Sequence, residues 1–368
     1  MFPCKIKEFD TQFTLVGHIV LARRMPFIDL LKACASQLIV LHHLVIYGPL
    51  SEAMADVMPA LVAWIAEYGR LAVPVFLAAA GFLSARGLAP GGVPTRVQPL
   101  TLIARRYMRL AIPYLVAVTC ALACAAVART WMHDDATPAI PTIRQFLAHV
   151  FLLHSLLGYD SLSAGVWYVA VDFQLYALMV GLVWLAHSGR GAASPTQRLM
   201  MLVAAAAAAS LLYFNLDQDW DSWGLYFFGS YALGAFAYWA AGRSSHGWLV
   251  LLAAAGTLVL VVDFRVRIAV ALIASLSMAL ACRHALFQRI SPTGIVVFLS
   301  KISYSTFLIH YPVSLVFNTL FANVAGHQPA LAVTTFVLTW STSIGAGTLL
   351  HRYVEDGPVF AVRRPVPA

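Results

Sequence analysis

The chain has 368 residues, of which 61% are hydrophobic and only 11% are charged, and its mean hydropathy is +0.78. This composition leaves too little polar surface to cover a water-soluble globule of such length, so it indicates a polytopic membrane protein. The formal net charge is +8. The basic residues lie at the ends of apolar segments and form no single stripe, which argues against a nucleic-acid partner.

Apolar segments of about membrane-spanning length recur between polar connectors, and the residue alternation of an outer-membrane barrel is absent. The predicted fold is therefore all-α, a polytopic membrane helical bundle of about ten transmembrane helices. The predicted spans are 27–47, 71–88, 110–128, 166–187, 199–214, 223–241, 248–263, 266–282, 295–320 and 330–350. We expect a cytoplasmic or interfacial segment at 1–26, one membrane domain at 27–351 and a cytoplasmic tail at 352–368.

The distribution of lysine and arginine predicts the orientation, because cytoplasmic loops carry an excess of both. Placing both termini in the cytoplasm leaves few of the 24 basic residues outside. Those outside are Arg70, Arg129, Arg144, Arg265 and Arg267. The five cysteines lie in or beside spans or near the N-terminus, so they suggest neither a disulfide framework nor a zinc site, and we expect no metal.

An ionisable pair stands out in the first span. Lys32 and His43 are eleven residues apart, which is three helical turns plus roughly 20°, so both lie on one face about 16 Å apart. Ionisable side chains inside a span are costly and usually mark a polar pathway or a site. Both are therefore expected to face the protein interior.

Apolar residues also recur at helical spacing between Pro141 and Gly158, beside His149 and His154. This pattern is typical of an amphipathic helix that lies on the outer membrane interface.

Short motifs along the chain resemble those of the acyltransferase 3 family. They occur, in the family's order, at 27–43, 73–83, 105–114, 167–176, 302–310 and 352–358. In the first, Lys32 stands where the family more often has arginine, eleven positions before His43. In the fourth, Asp172 replaces the usual glutamate, and in the second, Ala80 replaces the usual serine. The last motif carries one additional residue before Pro358.

The resemblance implies a membrane-embedded O-acyltransferase. Such an enzyme moves an acetyl or other short acyl group from cytoplasmic acyl-CoA to a hydroxyl of an envelope or secreted glycan. It implies a multi-pass protein of the bacterial inner membrane that meets membrane lipids, acyl-CoA and a carbohydrate or glycolipid acceptor. It also implies no permanently bound cofactor, with acetyl-CoA as co-substrate. No hydrolase-like domain is expected beside the membrane domain.

Three titratable groups are the candidate catalytic residues. Measured along their helices, His43 and His310 lie about 24 Å and 22 Å from the inner ends of their spans, and Asp172 lies about 9 Å below an outer end. These depths overlap in the outer half of a hydrocarbon core about 30 Å thick. His43 is the predicted base, Asp172 would orient an imidazole or stabilise its charged form, and His310 would bind the acceptor or act as a second acid or base.

The remaining candidates fall into two groups. The predicted donor-binding residues are Lys32, Arg105, Arg106 and Arg109, and the predicted acceptor-binding or supporting residues are Asp29, Trp167, Tyr176 and Tyr304. Each has a structural alternative: Lys32 can snorkel to lipid headgroups, the arginines can be topology anchors, and Trp167 can be an interfacial aromatic. Glu355 is interpreted as the partner of Arg352 or Arg363 in a structural ion pair.

Several alternatives stay open from the sequence. A membrane histidine often only bonds a neighbouring helix, and His42 lies about 100° from His43 on the same helix. Intramembrane His, Asp and Lys residues also suit a proton-coupled transporter or flippase, although no repeat symmetry supports that reading. A catalytically silent membrane scaffold is the third reading. Direct transfer and an acyl-histidine intermediate fit the residues equally well.

Overall fold

The computed structural model describes residues 25–96, 98–132, 137–189, 192–284, 293–324 and 328–357. Nearly all of the predicted N-terminal segment 1–26 and of the tail beyond 357, including Arg363, lies outside the described residues. The described residues are mainly helical and contain no β-strand, as expected. The helices are α1 (Pro26–Leu44), α2 (Pro49–Val57), α3 (Pro59–Tyr68), α4 (Ala72–Leu88), α5 (Pro99–Trp131), α6 (Ile143–Val150), α7 (Trp167–Ser188), α8 (Pro195–Leu212), α9 (Gly224–Ala241), α10 (Gly247–Val262), α11 (Val266–Arg283), α12 (Gly294–Val324) and α13 (Pro329–Leu350).

Each predicted span coincides with a helix of the bundle. Eight helical segments of the described chain are long and apolar enough to cross a membrane, and α10 is a shorter apolar helix of 16 residues. The helix at the remaining one of the ten predicted spans, α9, is rich in glycine, alanine and aromatic residues and is buried along most of its length. The protein is therefore a polytopic helical membrane bundle, in which α9 is surrounded by protein and does not need a lipid-facing side.

Proline begins many of the helices, because its missing N–H is not needed in the first turn and its φ suits a helix. These prolines are Pro26, Pro49, Pro59, Pro99, Pro195 and Pro329. Two further prolines, Pro113 and Pro312, lie inside the long helices α5 and α12. An interior proline removes a backbone hydrogen bond and bends a helix.

The centre of the bundle depends on close helix approach. A Cβ at Gly81 of α4 would lie 1.8 Å from the carbonyl oxygen of Tyr231, and one at Gly234 of α9 would lie 1.9 Å from that of Ala78. No side chain fits at either position, so α4 and α9 pack backbone to backbone, as membrane helices do at small residues. Helix α12 packs against α1, α5 and α13 on the other side of the bundle.

The amphipathic helix predicted between Pro141 and Gly158 forms only as far as Val150. Helix α6 ends at Val150, and Leu152 adopts a positive φ of 57°. The following segment is irregular: Phe151, Leu153 and Leu157 are exposed, whereas Leu152, Leu162 and Val166 join the core formed with α1, α5 and α12. The Tyr107 hydroxyl donates to the Val150 carbonyl at 2.6 Å, which ties the segment to α5.

Candidate active site

A cavity of about 520 Å³ lies between α1, α4, α5, α7 and α12 and reaches the helical turn His351–Glu355 that follows α13. Most of the residues singled out by sequence line it. These are Lys32, His43, Arg106, Arg109, Trp167, Asp172, Tyr176 and Tyr304. Cavities of this size suit small-molecule ligands. Arg105 is exposed and does not line the cavity, which separates it from its neighbour Arg106.

His43 and His310 form a buried pair. The Nδ1 of His43 lies 2.8 Å from the Nε2 of His310, and the Nδ1 of His310 lies 2.6 Å from the carbonyl oxygen of Phe307. A carbonyl oxygen only accepts, so in the neutral pair the His310 Nδ1 carries a proton and its Nε2 accepts from the His43 Nδ1–H. The Nε2 of His43 is then left as the basic nitrogen. His43 lines the cavity, whereas His310 lies behind it.

The chain just before α7 packs closely against His43 at Gly165. Its φ is +75°, which disfavours any residue with a side chain. A Cβ at this position would lie 2.9 Å from the Cε1 of His43 and 2.9 Å from the Phe307 ring. Gly165 therefore lets the backbone fix the His43 imidazole in place. Gly165 is not among the site residues predicted from the sequence, although it lies two residues before the motif that starts at Trp167.

Asp172 has a different partner from the imidazole that the sequence predicted. Its Oδ2 accepts a hydrogen bond from the Arg106 guanidinium at 2.5 Å, in an ion pair whose carboxylate side chain is 8% exposed. The guanidinium also lies 5.2 Å above the centre of the Tyr176 ring, a cation–π distance. Asp172, Arg106 and Tyr176 thus form one polar group in the cavity wall.

A carboxylate for which the sequence predicted only a structural ion pair, Glu355, also reaches the cavity. Glu355 accepts from the Ser305 hydroxyl at 2.7 Å and contacts the Nδ1 of His351 at 2.9 Å. These partners replace the predicted Arg352, and Arg363 is outside the described residues. The Ser305 contact holds the turn after α13 against α12, and the His351 contact lies within that turn. Glu355 therefore shares the cavity with Lys32.

The other candidates have supporting contacts. Asp29 accepts from the Ser300 hydroxyl at 2.9 Å, Tyr304 donates to the Leu110 carbonyl at 2.9 Å, and Trp167 stacks on Phe227 with ring centres 5.6 Å apart. His42 lies 3.1 Å from the carbonyl oxygen of Ile65 through its Nδ1. This contact joins α1 to α3, which is the structural role considered for His42.

Comparison with known protein families gives a match over most of the chain. A family model described as an acyltransferase domain, that of acyltransferase 3, matches residues 25–348. The chain belongs to the acyltransferase 3 family. Comparison with curated proteins and with solved structures gives no match. The family assignment makes this protein a multi-pass membrane acyltransferase, as the sequence motifs predicted.

For an acyltransferase 3 protein, the chemistry of this cavity comes from imidazole, carboxylate and guanidinium groups. Among the residues that the structure describes, no group of three His, Cys, Asp or Glu side chains could hold a metal ion. An imidazole with one nitrogen bonded and the other free can accept a proton from a hydroxyl. Histidine with that geometry can also serve as a nucleophile.

A second, buried histidine pair lies outside the spans of this acyltransferase, in α6 and in the irregular segment that follows it. The rings of His149 and His154 stack with centres 4.1 Å apart, and the Nε2 of His149 accepts from the Leu162 N–H at 3.1 Å. Burial, with a smaller effect from His149, lowers the pKa of His154 to about 3. His154 is therefore neutral at physiological pH and acts as a packing element.

Proposed function

We propose that this protein transfers an acetyl or other short acyl group from cytoplasmic acyl-CoA to a hydroxyl of an envelope or secreted glycan. The observation that carries the proposal is the His43–His310 pair, which leaves the Nε2 of His43 unbonded in a cavity that also contains Lys32, Arg106 and Arg109. A base and a set of cations in one cavity suit an anionic thioester donor and a neutral hydroxyl acceptor.

In direct transfer, the acceptor hydroxyl gives its proton to the Nε2 of His43 while its oxygen attacks the thioester carbonyl. The tetrahedral adduct then collapses, the carbon–sulfur bond breaks, and the CoA thiolate takes the proton from the Nε2. Throughout, the His43 Nδ1–H remains hydrogen-bonded to the His310 Nε2, which keeps the His43 ring oriented. His310 is thus a positioning residue that acts through His43.

An acyl-histidine route uses the same nitrogen. The Nε2 of His43 would attack the thioester carbonyl and expel CoA as a thiolate, which takes a proton from water. In a second step the hydroxyl oxygen would attack the acyl carbon, the carbon–nitrogen bond would break, and the hydroxyl proton would pass to the freed Nε2 and on to water. The Nδ1–H···Nε2 bond to His310 again leaves this nitrogen as the nucleophile. Burst kinetics with acetyl-CoA in the absence of acceptor distinguish the two routes, because only the acyl-enzyme route releases one equivalent of CoA.

The setting of the reaction follows from the family and from the basic residues. We place the protein in the bacterial inner membrane with both termini in the cytoplasm, so the donor reaches Lys32 and Arg109 from that side. The acceptor is a carbohydrate or glycolipid, and the protein contacts membrane lipids over its outer helix faces. Acetyl-CoA serves as a co-substrate, and no cofactor is permanently bound.

The test uses the purified protein in lipid nanodiscs with acetyl-CoA and a panel of glycans. Wild-type protein is expected to release CoA faster with a suitable glycan than without one, and a His43→Ala variant is expected to lose this stimulation. If no acyl-CoA is consumed with any glycan or with water, or if His43→Ala matches the wild type, the proposed function and base are refuted.

A further inference from the structure

Arg106 differs from the other cations of the cavity in its surroundings. Asp172 bonds its guanidinium at 2.5 Å, so the pair carries no net charge, and the Tyr176 ring covers one face. Arg109 is exposed at the cavity wall, and no carboxylate lies within salt-bridge distance of it among the described residues. A phosphate is attracted more strongly by an uncompensated cation than by a neutral pair.

Arg106 nevertheless retains a donor for a ligand. Its Nε is buried and has no hydrogen-bond partner among the described residues, although the side chain lines the cavity. A buried donor without an acceptor costs about 1–3 kcal/mol, so a ligand acceptor at this position would be favoured. An uncharged carbonyl oxygen satisfies the Nε–H without adding charge beside Asp172.

The position of the pair along the cavity indicates which part of a donor lies there. Gly165 touches His43, and Asp172 is seven residues further along α7, or about 10 Å. Lys32 lies about 16 Å from His43 along α1. The Arg106–Asp172 pair is therefore closer than Lys32 to the thioester that His43 would meet. In acyl-CoA, the segment between thioester and phosphates is the pantetheine arm, which is uncharged and carries two amides.

We infer that the Arg106–Asp172 pair is a binding site for an amide of the pantetheine arm, with the Arg106 Nε–H donating to the amide carbonyl. The phosphates are bound by Arg109 and Lys32. This inference rests on the proposed function and divides the arginines of the 105–114 motif by ligand chemistry. Arg105 has neither role, since it does not line the cavity.

Two donors separate the roles: acetyl-CoA, and S-acetyl-pantetheine, which keeps the arm and lacks the phosphates. The key variant is Arg106→Gln combined with Asp172→Asn, because removing Arg106 alone would strand a buried carboxylate. We expect kcat/KM to fall about tenfold to a hundredfold for both donors alike. The matched control, Arg109→Gln, is expected to lower kcat/KM for acetyl-CoA more than for S-acetyl-pantetheine.

A second variant, Arg106→Lys, keeps the positive charge beside Asp172 but removes the buried Nε–H. The variant is expected to weaken the binding of both donors. If Arg106 instead bound a phosphate, lysine would largely preserve that binding. Thermal unfolding in detergent verifies that each variant is folded. Calorimetry separates binding from catalysis, since an arm contact predicts about tenfold weaker binding of CoA and also of pantetheine.

Specific outcomes overturn the inference. One is a fall in kcat/KM for acetyl-CoA but not for S-acetyl-pantetheine in the Arg106 variants, as expected for Arg109→Gln. That result would make Arg106 a phosphate ligand. Another is unchanged affinity for pantetheine in a folded Arg106→Lys variant, whatever the turnover. If wild-type protein binds CoA without transferring acyl groups, the proposed function fails, but the calorimetric comparison still decides the arm site. Absence of CoA binding by wild-type protein refutes both.

Discussion

The hydrogen bond between His43 and His310 leads to a quantitative prediction. His310→Leu removes the acceptor of the His43 Nδ1–H, a bond of 2.8 Å in a site where His310 is fully buried. A buried donor without a partner costs about 1–3 kcal/mol, and His43 can recover it only by turning away or by changing tautomer. Either change misplaces the basic Nε2. We therefore expect kcat to fall by roughly 5-fold to 150-fold.

Two features distinguish this effect from general damage. The KM for acetyl-CoA should stay near the wild-type value, because His310 lies behind His43 and does not line the cavity. His310→Gln should recover much of the loss, since the amide oxygen can accept from the His43 Nδ1–H while its NH₂ donates to the Phe307 carbonyl. The loss should also be smaller than for His43→Ala, which removes the base and costs about 10²–10⁴-fold.

The assay is initial-rate CoA release in nanodiscs at saturating donor and acceptor, with thermal unfolding as the folding control. Wild-type turnover in His310→Leu would refute the orienting role of His310. A His310→Gln variant as inactive as His43→Ala would also contradict it, because an orienting contact is replaceable whereas a catalytic proton donor is not.

Other substitutions test the remaining groups. His43→Ala should abolish transfer in nanodiscs while His42→Ala mainly lowers the melting temperature, and reversed effects would show that the base is misassigned. Asp172→Asn should lose most activity and Asp172→Glu less, measured as kcat/KM, because the carboxylate holds a guanidinium; equal near-native rates would make its charge unnecessary. Lys32→Ala should weaken CoA binding by calorimetry and Lys32→Arg should restore it; unchanged affinity in Lys32→Ala would remove Lys32 from the donor site. Because the folded pKa of His154 is near 3 and the unfolded value about 6.5, stability should fall as pH drops from about 6.5 to 3, by up to about 1.4 kcal/mol per pH unit; denaturation of His154→Phe should show a shallower slope, and an unchanged slope would contradict the assignment.

The helices were predictable because long apolar runs and their polar connectors are local signals. Prolines at helix starts and basic residues at span ends agree with those runs. The positions of the helices and the all-α fold class therefore follow from the sequence. The segment after Pro141 was not predictable in the same way. Helical spacing of apolar residues continues past Val150, but Leu152 has a positive φ and turns into the core, while Phe151 and Leu153 beside it stay exposed. Periodicity alone does not show at which residue a helix ends.

The candidate site was predictable only in part. Helical rise predicted similar depths for His43 and His310, and in the structure the His43 Nδ1 lies 2.8 Å from the His310 Nε2. Depth carries no information about which helices are neighbours, so the same reasoning gave Asp172 an imidazole partner. The structure instead packs α5 against α7 and brings Arg106 to the carboxylate. Gly165 was missed because a glycine required by close approach has no signal in a single sequence.

The Arg106–Asp172 pair shows why the residue type alone misleads in a membrane cavity. An arginine near the cytoplasmic side suggests phosphate binding, and three arginines in one motif suggest it more strongly. Neighbouring residues on a helix differ by 100°, so Arg105 and Arg106 cannot share a direction. The structure exposes Arg105, pairs Arg106 with a carboxylate and, within the part of the chain that it describes, gives Arg109 no carboxylate partner. Recognition of a charged nucleotide and of its uncharged arm then falls on different members of one motif, because the partner of each guanidinium determines which ligand it binds.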